Sequence, residues 1–168
     1  MGEADADWER RMADLWAGME GCEEDEFVDR VDALAGELPS GDPIGMFERA
    51  AALDSTGHPD RAVPLYAAGI AAGLAGERRR RAAIQMASSL RNLGKPEEAL
   101  ALLTEETDAA SDELDGAVAT FLALALVDVG REREAVAVAL TALSKYLPRY
   151  NRSVSRYADE LRGPGHTS

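Results

Sequence analysis

Arg81, Gln85, Ser88 and Arg91 or Asn92 recur along the chain at helical intervals, the spacing that puts side chains on one side of a helix, with Ile84 among them. A guanidinium is a planar fork that holds a carboxylate or phosphate by two hydrogen bonds, and neighbouring amide and hydroxyl groups add further donors. These residues lie in a basic island. Residues 77–95 hold Arg78, Arg79, Arg80, Arg81, Arg91 and Lys95 against Glu77 alone, a net charge of +5. A second island, 145–156, carries Lys145, Arg149, Arg152 and Arg156 without an acid, and offers Asn151, Arg152 and Arg156 as further anion donors. The competing reading makes Arg78 to Arg81 a solvated helix face that answers acidic helices earlier in the chain.

Other chemistries find less support. The cluster Glu23-Glu24-Asp25-Glu26 lacks the alternating ligand order and central glycine of a calcium loop, so it is read as a charged helix start. His58 sits beside Pro59 at a turn and His166 near the C-terminus, neither with partners for metal or general-base duty. Ser88 and Ser89 have no neighbouring histidine or strand-turn-helix elbow, and Cys22 has no histidine nearby. The glycines fall singly, not in a phosphate-binding loop. No catalytic residue, metal or cofactor is expected. Trp8 and Trp16, eight residues apart, share a helix face, as core or as a partner-binding stripe.

The elements that must position the arginines belong to a soluble, helical chain. Its 168 residues suit one domain, with 46% hydrophobic, 29% charged and only 5% aromatic residues. Scarce aromatic and β-branched side chains favour closely packed helices over sheet. The net charge of −13 argues against a nucleic-acid binder. Residues 1–42 alone hold 14 acids against three arginines. A single cysteine excludes an internal disulfide. Met1 to Asp7 lacks the order of a signal peptide, and the apolar run Ala117 to Val127 is too short for a bilayer, so a cytoplasmic protein without membrane contact is expected.

Helical periodicity predicts elements over about 7–19, 24–38, 42–56, 59–72, 77–93, 96–108, 112–129, 131–146 and 149–161. Asp42-Pro43 is an N-cap followed by a first-turn proline, and Pro64 with Gly69 and Gly73 should leave the fourth helix bent or short. Six of these helices repeat. Gly57, Gly94 and Gly130 are spaced by 37 and 36 residues. Counting from each, alanine lies seven before (Ala50, Ala87, Ala123) and leucine four before (Leu53, Leu90, Leu126). Alanine follows five after (Ala62, Ala99, Ala135), then Val63, Leu100 and Val136. Such a period marks stacked helical hairpins.

Those columns resemble the tetratricopeptide repeat, and the blocks FERAAALDSTGHPDRAVPLY, GERRRRAAIQMASSLRNLGKPEEALALL, FLALALVDVGREREAVAVAL and LPRYNRSVSRYADEL resemble its small bacterial group-five family, over residues 40–162. The period exceeds the usual 34, Pro59, Pro96 and Glu132 replace the consensus aromatic, and Pro148 stands in for the closing proline. The resemblance implies that the first helix of each hairpin lines a concave groove. Arg81, Gln85, Ser88, Arg91 and Asn92 would then face it, with Arg152 and Arg156 across from them. It also implies that such side chains grip the terminal carboxylate of a peptide.

The expected fold is all-α, a right-handed stack of about three hairpins. Residues 1–41 are an acidic helical pair, 42–162 the repeats with a capping helix, and 163–168 a disordered tail. The expected function is a non-catalytic adaptor for an acidic peptide or chain terminus, as a monomer or weak homodimer. One alternative is a structural subunit that dimerises through Trp8, Met12, Leu15 and Trp16 while its arginines pair with acids of residues 20–32. The other is an enzyme.

Overall fold

The computed structural model describes residues 3–163, with side chains from residue 6 onward. Among the described residues all regular structure is helical. The helices are α1 (Glu3–Ala17), α2 (Glu24–Ala35), α3 (Pro43–Ser55), α4 (Pro59–Ala71), α5 (Gly76–Asn92), α6 (Pro96–Thr107), α7 (Asp115–Asp128), α8 (Glu132–Ser144) and α9 (Asn151–Arg162). A 3₁₀ turn, Met19–Gly21, follows α1. The helices belong to two compact units that divide inside α5, between Ala82 and Ala83. In the first, α1 packs on α2, α2 on α3 and α3 on α4; in the second, α6 packs on α7, α7 on α8 and α8 on α9. Apart from Gly163, the expected tail lies outside the described residues.

The repeat columns form a backbone hydrogen-bond pattern. Gly57, Gly94 and Gly130 sit in the turns α3–α4, α5–α6 and α7–α8 with φ of 79°, 73° and 75°. Each glycine N–H donates to the carbonyl three residues back, on Asp54, Arg91 and Val127, at 3.0–3.2 Å. The next N–H, of His58, Lys95 or Arg131, reaches the column leucine carbonyl of Leu53, Leu90 or Leu126 at 2.8–2.9 Å. These two bonds close a helix through a left-handed residue, which a Cβ would oppose. The residue after the glycine then opens the next helix. Its carbonyl accepts from the column alanine, Ala62, Ala99 or Ala135, at 3.0–3.2 Å. No side-chain cap is used at these three helix starts.

Side-chain packing follows the same columns. Ala50, Ala62, Ala87 and Ala99 are fully buried, as are the leucines Leu53, Leu90 and Leu126 to within a few per cent. The third hairpin departs: Ala123 is half-buried and Val136 exposed. In α4 the helix runs unbroken for 13 residues through Pro64. Pro64 is exposed, so the carbonyl it leaves unpaired can turn to water. Gly69 is a contact point: a Cβ there would stand 3.3 Å from the Pro43 carbonyl and 3.4 Å from Met46 Cβ. The fourth helix is neither absent nor shortened, because its weak formers sit where α3 approaches it or where water does.

Several helix ends move for local reasons. Asp42 Oδ1 caps α3 as expected, accepting from Ile44 N at 2.8 Å and Gly45 N at 3.2 Å. Asp112 uses its carboxylate to accept from Leu114 N at 2.7 Å, turning the chain, and α7 starts three residues later than expected. Tyr150, with φ 67°, delays α9 to Asn151.

The contrast between hairpins gives a test. Ala87→Leu should destabilise by about 1–3 kcal/mol, because added methylenes have no space between paired helices. Ala123→Leu, on a half-covered surface, should cost less than about 0.5 kcal/mol. Urea melts of the two variants check the assignment, and equal losses would contradict it.

Candidate peptide-binding site

The acidic N-terminal pair docks through a defined core. Trp8, Met12 and Leu15 of α1 pack with Phe27, Val31 and Leu34 of α2 and Ala52 of α3. The Trp8 indole N–H donates to the Leu34 carbonyl at 2.8 Å, and the Trp16 ring meets Phe27 edge-on at 5.0 Å. The interface expected of Trp8, Met12, Leu15 and Trp16 is therefore spent within the chain: the first three are buried and Trp16 is partly so. Apolar faces of two neighbouring helices satisfied each other before any second molecule was needed.

Beside that core stands a buried carboxylate that composition did not reveal. Glu48 is only 4% exposed. Its Oε2 accepts from the Trp16 indole at 2.8 Å, and its Oε1 accepts from Arg78 Nε at 3.0 Å. The other two nitrogens of Arg78 hold Glu9 at both oxygens, at 2.9 and 2.6 Å. Burial acts to lower the Arg78 pKa, but the bonds and charges of Glu9 and Glu48 outweigh it and the group is held further into its charged form. Arg78 thus ties α1 and α3 to the start of α5. A signal existed: Ile44, Glu48 and Ala52 lie at four-residue steps, placing Glu48 on an apolar stripe.

The arginine run is accordingly not a solvated face. Arg80 is 5% exposed and Arg78 half-buried, because a four-residue run turns through a whole helical turn and half of it must face inward. Nor do acids of residues 20–32 serve it. Asp32 pairs with Arg49 at 2.5 Å and Glu26 with Arg30 at 3.8 Å, while Arg78 takes Glu9 and Glu48.

Arg81 differs from its neighbours. Its guanidinium lies over the face of the buried Phe47 ring, 5.4 Å from the centroid, and its carboxylate contact is Glu77 at 3.9 Å. It borders a cavity of about 480 Å³ in the first unit, lined by Pro43, Ile44, Leu74, Glu77 and Arg78. The buried Tyr66 hydroxyl stays in its neutral form, its pKa raised first by burial and then by the charge of Asp54.

The remaining candidates lie in the second unit. Gln85 and Ser88 are half-buried on α5, and Gln85 Oε1 is buried without a hydrogen-bond donor. Arg91 bonds Asp128 through Nε at 2.5 Å. Asn92 is exposed at the end of α5. On α9, Arg152 is exposed, while Arg156 stacks over Tyr157 at 5.1 Å and lies 3.8 Å from Glu160. That helix is fixed to α8 by Ser155 to Ser144 at 3.2 Å and Arg162 to Thr141 at 3.0 Å. Among the described residues no three His, Cys, Asp or Glu side chains are placed to hold a metal ion, and His166 lies outside them. No helix is long and apolar enough to cross a membrane among the residues described.

A family model described as tetratrico peptide repeat matches residues 43–161. The chain therefore belongs to the tetratricopeptide repeat family, as its turn glycines and alanine columns already imply, and specifically to its group five. The family builds protein-interaction modules and is generally non-catalytic. No curated protein and no solved structure matches the chain.

The buried network predicts its own energetics. Arg78→Met leaves Glu48 buried with one hydrogen bond and should destabilise by about 3 kcal/mol. Adding Glu48→Gln, which can still accept from Trp16, removes the stranded charge and should recover part of that loss. A double-mutant cycle by denaturant melts checks the coupling.

Proposed function

We propose that this chain is a non-catalytic cytoplasmic adaptor that holds an acidic peptide segment or a peptide C-terminus on the α5 side chains Arg81, Gln85, Ser88, Arg91 and Asn92. In this reading residues 42–162 form the module, residues 1–41 a helical pair docked on it, and Arg152 and Arg156 of α9 add positive charge.

The observation that carries the reading is the state of Arg81. Stacking on Phe47 holds its plane in place, while its side chain remains 46% exposed with one long contact to Glu77. A guanidinium already oriented loses less entropy when a carboxylate arrives, and offers that ligand two parallel donors. Gln85 and Ser88, half-buried further along the same helix, add polar groups beside it. Arg91 already grips a carboxylate, that of Asp128, through Nε alone.

Titration calorimetry with acidic peptides tests this, each peptide prepared with a free and with an amidated C-terminus. Charged hydrogen bonds of this kind contribute about 1.5–3 kcal/mol each, so Arg81→Ala should weaken binding by roughly tenfold or more. Its melting curve should stay unchanged, since a partly exposed pair at this distance contributes little to stability. Affinity should fall as salt rises. Binding that ignores both Arg81→Ala and salt would contradict the proposal.

A further inference from the structure

Arg78 and Arg81 share one cavity, yet only one of them is open. Both border the space of about 480 Å³ beside Pro43, Ile44 and Leu74. Three residues apart on α5, they lie against consecutive residues of α3: Arg78 Nε donates to Glu48, and the Arg81 guanidinium lies over the Phe47 ring. Side chains at this interval are neighbours on a helix surface, about 5–6 Å apart at Cβ. All of these residues, and Glu9 with them, belong to the first compact unit.

What separates the two arginines is Glu9. Its two oxygens accept from Arg78 Nη1 and Nη2 at 2.9 and 2.6 Å, the parallel two-bond fit that a ligand carboxylate would make. The Arg78 and Glu9 side chains are 27% and 37% exposed, so water reaches both partners. The place of α1 does not depend on this bond alone. Trp8, Met12 and Leu15 pack with Phe27, Val31 and Leu34, so the Glu9 side chain can turn out to water while its helix stays docked. Glu48 has no such freedom, being 4% exposed and held also by the Trp16 indole. Of the two carboxylates on Arg78, one is fixed and one is exchangeable.

Charge points the same way. Two carboxylates on one guanidinium leave a net −1, which repels an incoming anion; without Glu9 the group is neutral and presents two free donors. Arg81 is masked only by Glu77 at 3.9 Å, too far for a hydrogen bond, and is the easier of the two to take.

We propose that Glu9 is a built-in competitor for Arg78, and that the site selects peptides carrying two adjacent carboxylates: the first settles on Arg81 and the second displaces Glu9 from Arg78. This rests on the peptide reading above and goes beyond it, because Arg78 becomes a second anion donor and α1 sets the selectivity. A single carboxylate on Arg81 leaves Glu9 in place. A mask that covers Arg78 about nine-tenths of the time lowers the apparent affinity for the second carboxylate about tenfold.

Titration calorimetry of the full chain with three short glycine–serine peptides tests it. One ends in glutamate with a free C-terminus and carries two carboxylates. The amide of that peptide, and a peptide ending in alanine with a free C-terminus, carry one each. Glu9→Ala should bind the two-carboxylate peptide about tenfold or more tighter than wild type, and the other two less than about threefold tighter. Glu9→Gln, which keeps an acceptor and loses the charge, should show a smaller gain with the same selectivity, and serves if Glu9→Ala fails to fold. Equal gains for all three peptides, or none, would overturn the competitor; wild-type binding that still depends on Arg81 would then leave the peptide reading standing. Absence of binding by wild type and both variants would overturn the two together.

Discussion

Two helices can approach only as far as the side chains between them allow, and in this chain that limit is set by a methyl group. Ala50, Ala62, Ala87 and Ala99 are buried without remainder, and at Gly69 even the methyl is absent. Everything else adjusts to that separation. Large side chains fill the space beside these small neighbours: Phe47 and Tyr66, both buried, meet at 6.2 Å between ring centroids across α3 and α4, and Leu103 is buried on α6. Close packing therefore replaces the aromatic content that the composition lacks.

Polar groups supply what such packing cannot, which is discrimination. An alanine-rich face accepts many apolar helices with similar energy. The N-terminal helix carries Glu9 and Trp16, and both find a particular partner: Arg78 for one and the buried Glu48 for the other. A carboxylate in the interior costs more to strand than it gains by pairing, so its value lies in rejecting wrong arrangements. Arg78 and Arg81, three residues apart on one helix, divide the labour: the first is bound on all three nitrogens, while the second stays open to water over an aromatic plane.

The turns were legible in the sequence because their determinants are local. A left-handed glycine, a leucine carbonyl behind it and an alanine N–H ahead of it all fall within ten residues, so a column of letters captures the geometry. Helix ends were legible to within a few residues; the largest slip is the start of α1, at Glu3 against an expected residue 7, and α7 starts three residues late, since Asp112 can cap or turn with equal ease. The division of the arginine run was not legible. Which of four consecutive arginines turns inward depends on Glu9, 69 residues away from Arg78, and on a carboxylate hidden in an apolar stripe. The exposure of Leu124 and Val127 on α7 was equally out of reach, because the same apolar run would serve a helix covered on both sides. Of the candidate site, periodicity found the α5 residues, but the stacking of Arg81 on Phe47 joins helices that no spacing rule connects.

The Glu9–Arg78 bond has a kinetic side. Helices here pack chiefly on their neighbours in sequence, and hairpins of that sort assemble quickly because little chain must be ordered before contacts form. The 69-residue closure between Glu9 and Arg78 has to wait until α3 and α5 exist to receive it. Closure of that bond is then a late step in folding and, read in reverse, an early one in opening. Its loss would free the start of α5 from α1 while the local core of Trp8, Phe27 and Val31 stayed packed.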